Sequence, residues 1–242
     1  MNVNGLTDRG VKRSNNEDYF IVNEALKLYI VADGMGGYKA GEVAAEIAAK
    51  TISNEIERRI HENTFEFQTQ IDEILAIANQ SILDYVEENP ACRGMGTTIV
   101  VVWIDNETLH VANVGDSRCY ALSDNALIQL TKDHSLVAEL VKIGSISIEE
   151  AEQHPDKNII TSALGVETKF DLFKQAFAIK KYAYLLICSD GLTNMVSSEE
   201  ILRIFKTAEF NVIPAKLIEC ANNNGGKDNI TVICVDIKGG RI

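Results

Sequence analysis

The sequence predicts an α+β fold in which two mainly antiparallel sheets pack face to face and helices cover their outer surfaces. Two observations carry this expectation. β-like runs fall into two blocks, each flanked by segments of helical period, and the connections between runs are too short for parallel crossovers. In chain order, strands are expected at Tyr19 to Val22 and Leu28 to Ala32. Val43, Ile47, Ala48, Thr51, Ile52, Ile56 and Ile60 then recur with the helical period, followed by Ile71, Ile74, Leu75, Ala78, Ile82, Tyr85 and Val86. Each set describes an amphipathic helix of four or more turns. Three closely spaced runs follow, Thr97 to Ile104, Leu109 to Val114 and Arg118 to Leu122, joined by short connections containing Asn106 or Gly115, and antiparallel pairing is expected among them. The stretch from about Ile143 to Gly165 is more polar, and its Ser147-x-x-Glu150 reads as a short capped helix within a long irregular connection. Strands at Phe173 to Ile179, Tyr184 to Cys188 and Ile230 to Ile237 frame helices at Ser197 to Lys206 and Ile213 to Asn222. Ser197 and Glu200 form a capping-box pattern at the start of the first helix.

The 242 residues carry 23 Lys and Arg against 35 Asp and Glu, a formal charge of −12. That excess argues against a generic nucleic-acid binder, whose affinity comes from basic residues neutralising phosphates. Here basic residues cluster no further than pairs such as Arg58-Arg59 and Lys180-Lys181. Apolar stretches such as Ile99 to Ile104 are too short to span a bilayer, and the first residues lack the basic start and apolar core of a secretory signal. Neither nucleic acid nor membrane is expected as a partner, and a cytoplasmic location follows. Cys92, Cys119, Cys188, Cys220 and Cys234 are odd in number, widely spaced and without a C-x-x-C pair, so they read as reduced and structural. With three prolines and no Ser/Gly-rich run, the chain reads as one domain.

The informative regularity is where acids meet strand ends. Apolar runs terminate in Asp33-Gly34, Gly115-Asp116 and Asp190-Gly191, and two others begin just after Asp18 and Asp228. In antiparallel sheets the exit of one strand lies beside the entrance of the next, so the five carboxylates are expected to gather on a single edge. A strand-terminating turn explains any one Asp-Gly, but five aspartates in the same relation to strand ends point to a shared site. Carboxylates that close repel one another unless a cation is present, and an all-oxygen set without Cys or His suits Mg²⁺ or Mn²⁺. Gly34 and Gly191 are expected to permit tight turns and close approach of a carbonyl to an ion. Arg13, five residues before Asp18, offers a planar fork to a phosphate; as part of the pair Lys12-Arg13 it also fits a solvated turn.

Eight segments make the string recognisable: TDRGVKRSNNED at 7–18, VADGMGG at 31–37, GMGTT at 94–98, VGDSR at 114–118, TKDHSLV at 131–137, HPDKNIIT at 154–161, SDGLTN at 189–194 and GGKDNITV at 225–232. In this order, over nearly the whole chain, they resemble the bacterial metal-dependent Ser/Thr protein phosphatases of the PPM, or type 2C, family. The resemblance implies a four-layer α-β-β-α sandwich, one domain over residues 1–242, with a flap subdomain at about 143–165 bordering the substrate cleft. It also implies two Mn²⁺ or Mg²⁺ ions, with a third and weaker one. Asp33 would bridge the first two ions, the Gly34 carbonyl would bind one of them, and Asp190 and Asp228 would complete the coordination of the first ion. Asp18 would hold the second ion through water, Asp116 with Asp190 would take the third, and Arg13 would bind phosphate. The implied reaction is hydrolysis of phosphoserine and phosphothreonine by a metal-activated water, without a covalent phosphoenzyme. Phosphorylated proteins are the implied partners, with a cognate bacterial Ser/Thr kinase whose action the enzyme opposes, and a monomer is expected.

Two departures from the family pattern stand out. Met35 follows Asp33-Gly34 where many eukaryotic members carry a His proposed as general acid, and Ser162 stands where bacterial relatives often have Arg. Of the four histidines, His61 and His110 read as helix-surface and strand residues and His154 lies in the flap, leaving His134 as the candidate for a chemical role. Cys188, two positions before Asp190, has the spacing of a nucleophile, although strand packing accounts for it as well. A pseudophosphatase that only binds partners is disfavoured by the intact Asp33, Asp190 and Asp228. A phosphatase of a sigma-factor regulator is the alternative on substrate. A two-metal nuclease would need a basic, aromatic-lined track, which the sequence lacks.

Overall fold

A computed structural model describes residues 1–36, 40–123 and 126–238, so Gly37, the last residue of the VADGMGG motif, lies outside the described residues. Two sheets form. The first has the order β1 (Asn2–Asp8), β11 (Ile230–Asp236), β10 (Tyr184–Cys188), β7 (Arg118–Ser123), β8 (Ala126–Gln129). The second runs β2 (Asp18–Asn23), β3 (Leu28–Met35), β5 (Ile99–Asp105), β6 (Thr108–Val114), β9 (Phe173–Ala178), with the short β4 (Gly96–Thr97) on the end of β3. Every named strand pair is antiparallel.

Alternation along the strands sorts the side chains into three apolar layers. On β3, Leu28, Ile30 and Ala32 join Ile52, Ile56, Ile71, Ile74 and Leu75 of helices α1 (Ala40–His61) and α2 (Phe67–Glu88). Tyr29 and Val31 point the other way and meet Leu185, Ile187, Ile233 and Val235 of the facing sheet. Leu186, Cys188, Val232 and Cys234 cover the far side against α6 (Ser198–Thr207) and α7 (Ile213–Asn223). Period-2 alternation with both faces buried produces this helix, sheet, sheet, helix order, and it is the four-layer sandwich that the sequence implied.

Some local expectations change. β5 and β6 form the expected hairpin, but β7 leaves it: at Gly115 (φ +94°) the chain crosses into the other sheet, where β7 pairs with β10. A short link implies a hairpin, whereas a positive-φ glycine lets the chain turn between sheets. β1 and β8 escaped the sequence reading because edge strands draw their order from a neighbour's backbone, here β11 and β7. In β1, Gly5 leaves room for the Phe20 ring, which would lie 2.7 Å from a Cβ at that position. Among the described residues, the remaining α-helices are α3 (Leu136–Lys142), α4 (Ile148–Glu152) and the single-turn α5 (Asp190–Thr193). Ser147 and Glu150 form a full capping box, whereas Glu200 contributes only its N–H to Ser197 and turns its carboxylate to Arg203.

The single tryptophan, Trp103, stacks on Phe67 of α2 at 6.3 Å and on His110 at 5.2 Å. Phe67 is buried, so Phe67→Ala should cost about 3–5 kcal/mol. Urea unfolding followed by Trp103 fluorescence will show the loss; an unchanged midpoint would mean that α2 is not held through this ring.

Candidate metal centre

The five aspartates meet at one end of the sandwich, drawn from both sheets rather than from the edge of one. Asp18 stands directly opposite Asp33 across β2 and β3. Asp33 continues the inward alternation of Tyr29 and Val31 toward the space between the sheets. From the facing sheet, Asp190 opens α5 just beyond β10, and Asp228 lies two residues before β11. Asp116 comes from the crossing between β6 and β7. Asp33 feels Asp18, Asp190, Asp116 and Asp228 electrostatically, so all five share one site.

Residues not singled out from the sequence hold this arrangement. The Ser189 hydroxyl donates to Asp18 Oδ2 at 2.7 Å and accepts the Thr231 N–H at 3.0 Å, tying the two sheets together at the site. Asn229, 3% exposed, accepts the Glu17 N–H through Oδ1 at 2.8 Å and donates through Nδ2 to the carbonyls of Arg9 and Asn15, at 2.9 and 2.8 Å. It thereby fastens the loop that carries Arg13 to the start of β11. The Asp33 N–H donates to Thr98 Oγ1 at 3.2 Å, and Asn194 Nδ2 donates to Asp190 Oδ2 at 2.9 Å. Their only sequence signal is position beside the aspartates, within the same motifs.

Gly34 lies within β3, so the turn expected there does not form, whereas Gly191 lies in the single turn of α5. Neither Gly34 nor Gly191 has positive φ; both mark close approaches of backbone to backbone. A Cβ on Gly34 would lie 2.1 Å from the Gly41 carbonyl oxygen of α1, and one on Gly191 would lie 1.9 Å from the Asn229 carbonyl oxygen. The site closes because these chains can touch.

Burial is the main cause of the electrostatic strain. It pushes Asp18 up to about 7, against hydrogen bonds from Thr231 and Ser189 and helped by the charges of Asp190 and Asp228. Burial and then Asp190 and Asp133 push Asp116 up to about 8, with Arg118 opposing. Asp33 and Asp190 are raised by the same causes, and their carboxyl groups lie within hydrogen-bonding reach of each other. Two carboxyl groups that close are stable only with a proton or a cation between them. Asp18 Oδ1 is buried and has no hydrogen-bond partner.

These features fit hard divalent ions: oxygen donors alone, an orphaned carboxylate oxygen and an excess of buried negative charge. Among the described residues, no three His, Cys, Asp or Glu side chains form a closed cation-binding group. Mg²⁺-type ions keep several bound waters, so carboxylates that do not close into a cage can still hold them through water. Arg13 Nη2 donates to Asp228 Oδ2 at 2.7 Å, which puts the expected phosphate-binding cation on the rim of the cluster, paired with a carboxylate. Arg118 is forked onto Asp133.

Two candidates for direct chemistry are accounted for by structure. Cys188 is buried and its thiol is pushed up to about 12 by burial, so it packs as an apolar residue. His134 Nδ1 accepts the Gly115 N–H at 3.1 Å, and its own N–H donates to the Gly115 carbonyl at 2.9 Å. It orders the loop that carries Asp116. All five cysteines are free, as expected.

The sequence model for protein phosphatase 2C matches residues 9–230. The chain belongs to this family. It is 42% identical to the serine/threonine phosphatase stp of Listeria welshimeri, over 98% of this chain and 96% of that protein. Among solved structures, the serine/threonine phosphatase Stp1 of Staphylococcus aureus superposes with a TM-score of 0.88 at 36% identity, covering 98% of this chain and 95% of that one. The catalytic domain of the serine/threonine phosphatase PstP, solved with two manganese ions, gives 0.83 at 34% identity over 97% of both chains. The chain is thus a phosphoprotein phosphatase of the 2C type. No helix among its described residues is long and apolar enough to cross a membrane.

Carboxyls with raised folded pKa values bind protons more tightly than their unfolded counterparts near 3.9, so their contribution to stability is present below that value and lost as pH rises through about 7 to 8. In EDTA the phosphatase should therefore lose about 5 °C or more in Tm between pH 5.5 and 8. Mn²⁺ should abolish most of the loss, and Asp18→Asn should reduce it. A Tm that rises with pH in EDTA would show that the cluster is not under this strain.

Proposed function

We propose that this enzyme hydrolyses phosphoserine and phosphothreonine in proteins and opposes a Ser/Thr protein kinase. The observation that carries the reading is the convergence of Asp18, Asp33, Asp116, Asp190 and Asp228 around a space to which Arg13 is adjacent. Asp33, with Asp190 and Asp228, would hold one divalent ion, Asp33, with Asp18 through water, would hold a second, the Gly34 carbonyl would bind one of these two, and Asp116 with Asp190 would hold a third. Bound ions would supply acidification of water and neutralisation of charge developing on the phosphoryl oxygens.

The chain's own residues do the positioning. Ser189 and Thr231 keep Asp18 oriented, and Thr98 keeps the Asp33 backbone in register. Arg13 is placed to exchange Asp228 for a phosphate oxygen, an exchange favoured when cations compete for that carboxylate. The segment at about 143–165, which contains α4, is assigned as a flap subdomain of the single domain and returns to the body through the bridge between Thr97 and Leu164.

Asp190→Asn should lower kcat on a phosphothreonine peptide in Mn²⁺ by at least about a hundredfold, the scale of losing charge stabilisation in a transition state. Metal-independent turnover, or an unaffected variant, would overturn the proposal. Arg13→Ala should raise KM while leaving the Mn²⁺-induced rise in Tm intact; loss of that rise would reassign Arg13 to the fold.

A further inference from the structure

A cleft of about 740 Å³ has Met35 on one side and residues 160–163, 166, 167 and 169–171 on the other. Two features tie it to the catalytic end. Met35 is the last residue of β3, two positions beyond Asp33, so about 7 Å of strand separates the two Cα atoms. β4 lies between β3 and Leu164, pairing Gly34 with Thr97 and bonding Thr97 to Leu164 in both directions at 2.9 Å. The cleft therefore continues the path that leads away from the aspartates.

Its far wall is held rigidly without a helix or strand of its own. Asn79 of α2, 3% exposed, accepts the Gly165 N–H at 2.6 Å and donates to the Glu167 carbonyl at 2.9 Å. Ser162, 8% exposed, accepts the Asp171 N–H at 2.8 Å and donates back to the Asp171 carbonyl at 3.3 Å. Both clamps use backbone atoms of the wall, which leaves the side chains of Glu167 and Asp171 to face outward, and both residues are exposed. Among the charged residues that line the cleft, Lys169 stands against these two carboxylates. The wall thus presents net negative charge on a chain that is itself strongly acidic.

We propose that this cleft receives the substrate polypeptide beside the phosphorylated residue, and that Glu167 and Asp171 select a basic side chain two or three positions away from it. The inference rests on the phosphatase reading above and deepens it. An extended peptide advances about 3.3 Å per residue, so a phosphoresidue at the aspartate cluster delivers its second or third neighbour to the cleft. The apolar stem of Lys or Arg matches Met35 and Val166, while its charged head meets the carboxylates at the exposed rim.

Phosphothreonine peptides carrying Lys, Gln or Glu at the second and third positions on either side, assayed with Mn²⁺, test this. The Lys peptides on one side should show a KM about fivefold below their Glu counterparts, the scale expected of solvent-exposed charge pairs, with kcat little changed. Glu167→Gln with Asp171→Asn should level the series, and Lys169→Gln should widen it. A Mn²⁺-induced rise in Tm checks that each variant is folded. Equal KM values across the wild-type series, or a preference that survives the double substitution, would overturn the inference. Failure of the wild type to hydrolyse any of these peptides or p-nitrophenyl phosphate would instead sink the phosphatase reading itself.

Discussion

Five carboxylates that repel one another are held together at the end of a sandwich, and much of the surrounding structure exists to hold them. Asp18 and Asp33 face each other across one sheet, while Asp190 and Asp228 approach from the other. Without a rigid frame the repulsion would be relieved by strand ends drifting apart. The frame is the apolar layer between the sheets, where Val31, Val100, Val102, Ile187 and Ile233 are fully buried. Apolar burial there offsets the electrostatic cost at the rim, and it does so without neutralising the charge. The charge is left for cations.

The same constraint explains the neutral polar residues around the cluster. Ser189, Thr98, Asn194 and Asn229 orient aspartates or the loops that bear them. A lysine or arginine in those positions would neutralise the carboxylates and compete with divalent ions. The two arginines whose charge reaches Asp190 are already engaged, Arg118 by Asp133 and Arg13 by Asp228 at the rim. His134 extends the pattern, since it spends its ring nitrogen on the Gly115 backbone at the crossing between sheets. Glycine completes it by contact, because the Gly34 and Gly191 backbones sit where any side chain would collide with Gly41 or Asn229.

Much of this was legible beforehand. Both long helices, most strands and all five aspartates follow from periodicity and from acids repeated at strand ends. What was not legible depended on partners distant in sequence. β1 is polar, yet β11 orders it over seven residue pairs. The short Gly115 link looks like a hairpin and is a crossing between sheets, because local spacing does not say which sheet the next strand will find. Asn79 reads as an ordinary helix position, and only the fold shows its amide clamping residues 165 and 167. The flanking cleft follows from that clamp and has no motif of its own.

By itself, then, the sequence determined the layer order and the chemistry of the site, because burial periodicity and residue type are local properties that survive in one dimension. It also determined that the site is acidic and lacks soft ligands. Tertiary structure decided that the aspartates come from two sheets rather than from one edge, that Asp18 and Asp116 are strained by burial, and that Arg13 rests on Asp228. It also decided that Gly34 and Gly191 sit where the backbones of Gly41 and Asn229 come too close for a side chain. Those outcomes depend on distances between segments up to 215 residues apart, and a Coulomb or contact energy is set by that distance and by the water excluded from it.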